Sequence, residues 1–183
     1  MLQDKFDEYC CDPKLNIDST TQTISNKEEG FAICCGKRVI QNGMTAHWDF
    51  VVKKLSNKSM EWGTYGDNCG IGLINGSFRF LDQGMIDKNK LIYWWSTCNV
   101  EICEFGAKGI KVPIFENGSH LHIFINLLSK NEGRKLIFMK NDDIIYESKF
   151  EDQWPTSPKI RMFICLDLMP QIFQLVEAEI IHE

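Results

Sequence analysis

The sequence predicts an all-β protein, a two-sheet antiparallel β-sandwich, and three observations carry the prediction. About ten short runs rich in Val, Ile, Leu, Phe, Tyr and Trp recur along the 183 residues. Turn residues separate the runs, and Gly, Asn, Asp or Ser, which reverse a chain, bound those at 70–74, 91–95 and 100–105. Scarcely any long segment repeats its apolar residues at the helical period. Consecutive strands without intervening helices pair as hairpins and stack as two sheets.

Taken in order, residues 14–18 and 21–25 (KLNID, TQTIS) read as a hairpin around Ser19-Thr20, followed by a strand at 31–35 (FAICC). Residues 46–54 (AHWDFVVKK) point Ala46, Trp48, Phe50 and Val52 to one face and His47, Asp49, Val51 and Lys53 to the other. Strands follow at 70–74 (GIGLI), 91–95 (LIYWW) and 100–105 (VEICEF). The second half continues with 120–128 (HLHIFINLL), 134–140 (RKLIFMK), 144–150 (IIYESKF), 159–166 (KIRMFICL) and 171–177 (QIFQLVE). A helical alternative is kept for the polar segment 82–90 and for the C-terminal tail.

Composition bounds the class. With 183 residues and 44% hydrophobic content, a single domain over 1–183 is expected, with short extensions at 1–12 and 178–183. No apolar run approaches the ~20 residues that span a bilayer, so no membrane role is expected. A net charge of −5 offers no broad attraction to phosphate backbones, and nucleic acid is not an expected partner. The first residues, MLQDKFDEYCCD, have neither the basic start nor the apolar stretch of a secretory signal, so a cytoplasmic protein is expected. The eight cysteines then read as reduced, mostly buried thiols, with the adjacent pairs pointing to opposite strand faces. The Asn57-Lys-Ser, Asn75-Gly-Ser and Asn117-Gly-Ser sequons read as turns.

The order of these motifs resembles that of the SPRY domain family. Residues 43–52 (GMTAHWDFVV) resemble its aromatic-acidic strand, with Trp48 at the aromatic position and Asp49 in place of Glu. Residues 70–74 resemble its I-G-V segment, Tyr93-Trp94-Trp95 its aromatic strand, and 115–118 (FENG) the turn before a long hydrophobic strand. Residues 133–142 (GRKLIFMKND) are similar to its G-x-L-x-F-x-x-N-G hairpin, and Trp154-Pro155 stands at its late Y-P. The resemblance runs from about residue 10 to 177 by motif order. Departures are Ser119-His120 for Gly-Asp, His122 for a following Gly, and Asp142 where the hairpin usually has Gly, a position expected at positive φ that Asp tolerates at some cost, so the chain reads as a divergent member. The resemblance implies a concanavalin-like sandwich of SPRY type that binds a peptide or protein partner through inter-strand loops, as an adaptor or substrate-recognition subunit.

The residues themselves offer little catalytic chemistry. No Gly-x-Ser-x-Gly or comparable nucleophile arrangement is present, and the reading is non-enzymatic. Glu101 and Glu104, three apart, fall on opposite faces of a strand and do not form a carboxylate pair. Cys98 and Cys103 are likewise separated. His120 and His122 share a face at the spacing of two strand-borne metal ligands, but neither a CxxC nor a His-Glu cluster supplies a third ligand, so no metal and no cofactor are expected.

Trp48, Phe50, Phe138 and Phe163 read as core. Trp62 and Tyr65 lie instead in the polar, Gly-containing segment 56–68 (SNKSMEWGTYGDN), where a large aromatic suits a ligand contact, and one of Trp94 and Trp95 must face away from the core. Trp62, Tyr65 and Trp95 are the candidate binding residues. A lectin-like sandwich presenting aromatic platforms to sugars is the alternative, and a metal-dependent enzyme built on His120 and His122 a third, which predicts stoichiometric zinc.

Overall fold

The computed structural model describes residues 2–56, 69–78, 91–96, 101–104, 110–111, 113, 116–128, 134–149, 158–167 and 169–182. Fifteen strands and no helix are found among them. The first half holds β1 (Leu2–Gln3), β2 (Phe6–Cys11), β3 (Leu15–Asp18), β4 (Thr23–Asn26), β5 (Ala32–Gly36), β6 (Met44–Lys54) and β7 (Gly70–Asn75). Then come β8 (Leu91–Ser96), β9 (Glu101–Glu104), β10 (Ile110–Lys111) and β11 (His120–Asn126). The last four are β12 (Lys135–Lys140), β13 (Asp143–Lys149), β14 (Ile160–Leu166) and β15 (Ile172–His182).

They form two antiparallel sheets, as expected. The first runs β13-β12-β11-β6-β15-β4-β3, with β1 added along β15, and the second runs β10-β9-β8-β7-β14-β5-β2. Between them lies one large core in which Trp48, Phe50, Leu121, Ile123, Phe138, Ile71, Leu73, Met162 and Ile164 are buried. Along β11 the burial alternates, Leu121, Ile123 and Ile125 inward and His120, His122 and Phe124 half-exposed, as period-two patterning requires. By contrast, every residue of β5 and β14 is buried. Their second face carries its own apolar cluster of Cys10, Ile33, Cys35, Phe78, Phe163 and Cys165, with Phe31 packed against it. Strands covered on both faces read as continuous apolar runs, which is why FAICC and KIRMFICL lack polar alternation.

Three expectations are corrected. Of the expected extensions 1–12 and 178–183, the described residues 2–12 and 178–182 are part of the sandwich: β1 and β2 are strands within it, and β15 continues to His182, pairing Ile180 with Ala46 and His182 with Met44. The tail is a strand and not a helix, because Ala178 and Ile180 alternate into the core beside Trp48 and Ala46. In the β12–β13 hairpin the left-handed residue is Asn141 (φ 54°), not Asp142. Asn141 tolerates that conformation, and its Oδ1 accepts a hydrogen bond from His120 N at 3.0 Å. The segment 82–90 lies outside the described residues.

Two of the sequons are turns, as read. Asn75 Oδ1 accepts from Ser77 N and Oγ, and Asn117 Oδ1 accepts from Leu55 N. Asn57 lies outside the described residues. Cys10, Cys11, Cys34, Cys35, Cys69 and Cys165 carry reduced thiols. Cys11 and Cys34 are register partners across β2 and β5, and Cys34 faces the main core while Cys35 faces the second cluster, as adjacent residues of a strand must.

Candidate functional site

Of the residues expected to bind a partner, Trp62 and Tyr65 lie outside the described residues. Trp95 sits in β8, between Ile71 of β7 and Ile102 of β9 in the ladder of the second sheet.

On the outer face of the first sheet, β6 and β11 bring together four polar residues. Antiparallel pairing sets Asp49 opposite His122, Val51 opposite His120 and His47 opposite Phe124. Alternation on β6 sends Trp48 and Phe50 into the core, so His47 and Asp49 point outward, where β11 presents its two histidines. Asp49 Oδ2 and Oδ1 lie 2.9 and 3.0 Å from His120 Nδ1, and Oδ1 lies 3.8 Å from His122 Nδ1. His47 Nε2 is 3.2 Å from His122 Nδ1, a contact in which one ring donates and the other accepts. The rings stack, with centroids 5.4 Å apart for His47 and His122 and 6.1 Å for His120 and His122.

The carboxylate is the buried member, at 6% exposure, although it lies on the outer face. The flanking imidazoles cover it. Burial holds the His122 ring below the ordinary imidazole range; Asp49 and Asp142 pull it up, and His47 and His120 push it down. A neutral ring keeps a lone pair for a proton or a cation. On the other side of β6, Glu177 stands in register with Asp49 and Glu179 with His47.

The third potential donor that the sequence did not supply for the His120 and His122 pair is Asp49, with His47 beside it. The signal was already in the alternation of AHWDFVVKK, which puts both residues on one face. What was missing was the pairing of that strand with HLHIFIN and its register, which no local pattern encodes.

The architecture is a SPRY-like fold. The chain superposes on the SPRY domain of human HERC1 with a TM-score of 0.69, over 94% of this chain and 97% of that one, at 14% identity. A human SPRY domain matches with a TM-score of 0.60 over 91% and 97% of the two chains, also at 14% identity. The carbohydrate recognition domain of Emp46p matches with the same TM-score of 0.60, over 97% and 87%, at 11% identity. No family model matches the sequence, and no curated protein matches it. At such identities the likeness defines the frame, a divergent SPRY-like, concanavalin-type sandwich, and leaves function to the site.

Proposed function

We propose that the chain is a non-enzymatic interaction module of the cytoplasm that binds a peptide or protein partner through its inter-strand loops, as an adaptor or a substrate-recognition subunit. The observation that carries this reading is the SPRY-like frame extending over 94% of the chain. Trp62, Tyr65 and Trp95 are the proposed contacts, since aromatic anchors dominate binding energy where they are surrounded by a water-excluding rim. The absence of a nucleophile motif from the sequence agrees with a binding role.

A lectin-like role is the second reading. The likeness to the Emp46p carbohydrate recognition domain, with a TM-score of 0.60, favours it. Affinity capture with the full chain, followed by binding measurements on purified components, separates the two. The interaction reading expects a direct protein partner whose affinity falls at least about tenfold in Trp62→Ala, with no glycan retained on an array. Glycan binding competed by free sugar, or the absence of any direct protein partner, would overturn it.

A further inference from the structure

The outer face of the first sheet carries an arrangement that the interaction reading does not use. We propose that Asp49, His120 and His122 bind a divalent transition-metal ion of the zinc class. One donor atom from each lies within 4.8 Å of the others. A tetrahedral ion held about 2.0–2.2 Å from nitrogen and oxygen ligands sets those ligands about 3.3–3.6 Å apart. The Asp49 carboxylate is 2.9 Å from His120 Nδ1 and 3.8 Å from His122 Nδ1, so the observed spacings bracket that requirement. The two imidazole donors lie within 4.8 Å of each other, so the rings must turn toward one another by up to about 1 Å for all three donors to share one ion.

The backbone is already in place. His120 and His122 project from one strand, and Asp49 from its hydrogen-bonded neighbour, so the site needs no loop to close. Both imidazoles turn the same nitrogen, Nδ1, toward the carboxylate. His47 Nε2 lies 3.2 Å from His122 Nδ1, beside the three-donor cluster and not part of it, and water can complete the coordination.

The donor chemistry selects the ion. Two imidazoles with a single carboxylate suit Zn2+, Cu2+ or Ni2+, whereas Ca2+ and Mg2+ require more oxygen ligands than this face offers. Entry is from the side of His120, whose side chain is 45% exposed. Glu177 and Glu179, in register across β15, add negative charge that favours a cation there.

The test uses the full chain stripped with a chelator and titrated with Zn2+ alone, and with Co2+ for its visible spectrum. One equivalent of Zn2+ is expected, raising the thermal midpoint of the wild type by mass action. His120→Ala, at a half-exposed position, and Asp49→Asn are each expected to fold, as judged by circular dichroism, and to weaken binding at least about tenfold. His182→Ala, at the exposed end of β15, leaves binding unchanged. The Co2+ spectrum shows tetrahedral or five-coordinate bands without thiolate charge transfer. No saturable Zn2+ binding, binding equal in His120→Ala and wild type, or a thiolate band pointing to the cysteines would each overturn the proposal.

Discussion

The indole of Trp48 donates its Nε1 hydrogen to Asp4 Oδ2 at 3.0 Å, fastening the start of the chain to the middle of the core. Trp48 is fully buried, and its polar atom needs an acceptor inside the protein. Asp4 supplies it from the bend between β1 and β2, while its Oδ1 accepts from the backbone N–H groups of Lys5 and Arg38. Gly36 leaves the space: a Cβ there would lie 2.5 Å from Asp4 Oδ2 and 2.7 Å from Met162 Cγ. The N-terminal residues thus belong to the sandwich because they complete the hydrogen bonding of its largest buried side chain.

Asp4→Ala removes that acceptor and is expected to cost about 1–3 kcal/mol, most of it from the stranded indole N–H, read as a lower urea midpoint. Burial raises the Asp4 carboxyl above its usual range against the lowering effect of its hydrogen bonds to Trp48, Arg38 and Lys5 and of the Arg161 charge. A raised folded value means stability that is complete below the unfolded value of 3.8 and is lost as pH rises through the folded value. Asp4→Asn cannot titrate. The stability advantage of wild type over Asp4→Asn is therefore expected to shrink as pH rises from about 4 and then level off, and a gap that widens would refute the assignment.

Arg161 is 3% exposed on β14 and directs its guanidinium to the Asp7 carboxylate and, from Nε, to the Gly36 carbonyl at 2.6 Å. Burial is the strongest single influence and opposes its charge, but the hydrogen bond and charge of Asp7 together with the neighbouring Cys10 and Cys35 outweigh it and raise the group. Asp7→Ala leaves a buried cation without its counter-ion, and the expected loss is about 3–5 kcal/mol in chemical denaturation. Combining it with Arg161→Met should recover part of that loss. A double variant no more stable than the single one would show that the ion pair is not the cause.

The β12–β13 turn separates two substitutions that look alike in sequence. Asn141→Ala puts in the left-handed region a residue that lacks the tolerance of Asn for it and removes the acceptor for His120 N, a combined cost of about 2–3 kcal/mol. Asp142→Gly, which would restore the hairpin's usual residue, meets no positive φ to relieve. It is expected to leave stability unchanged or lower it by up to about 1 kcal/mol through a more flexible unfolded chain. Thermal melts of the two variants check this, and stabilisation by Asp142→Gly would contradict the turn geometry.

The thiols of Cys34 and Cys35 should resist alkylation. Burial, followed by a hydrogen bond to Cys11, pushes Cys34 well above its usual range; for Cys35 the hydrogen bond to Cys10 comes first and burial second. Iodoacetamide at pH 8 is expected to leave both unmodified in the native protein and to label both in denaturant, as followed by peptide mass spectrometry. Rapid native labelling of either would mean that β2 and β5 separate in solution.

Periodicity alone determined the fold class, nearly every strand and the inward set of Trp48, Phe50, Leu136 and Phe138, because side-chain alternation is a local property of an extended backbone. It also put His47 and Asp49 on one face and His120 and His122 on another. The edges were less legible: β1 is two residues long, β2 does not alternate between buried and exposed residues, and Ala178 and Ile180 count as core only once β15 lies beside β6. Which strand neighbours which, and in what register, depends on contacts between residues far apart in the chain, and those contacts are decided by how the two sheets close over one core. Only the pairing of β6 with β11 in that register carried Asp49 to within 2.9 Å of His120 and turned two separate polar alternations into one cluster.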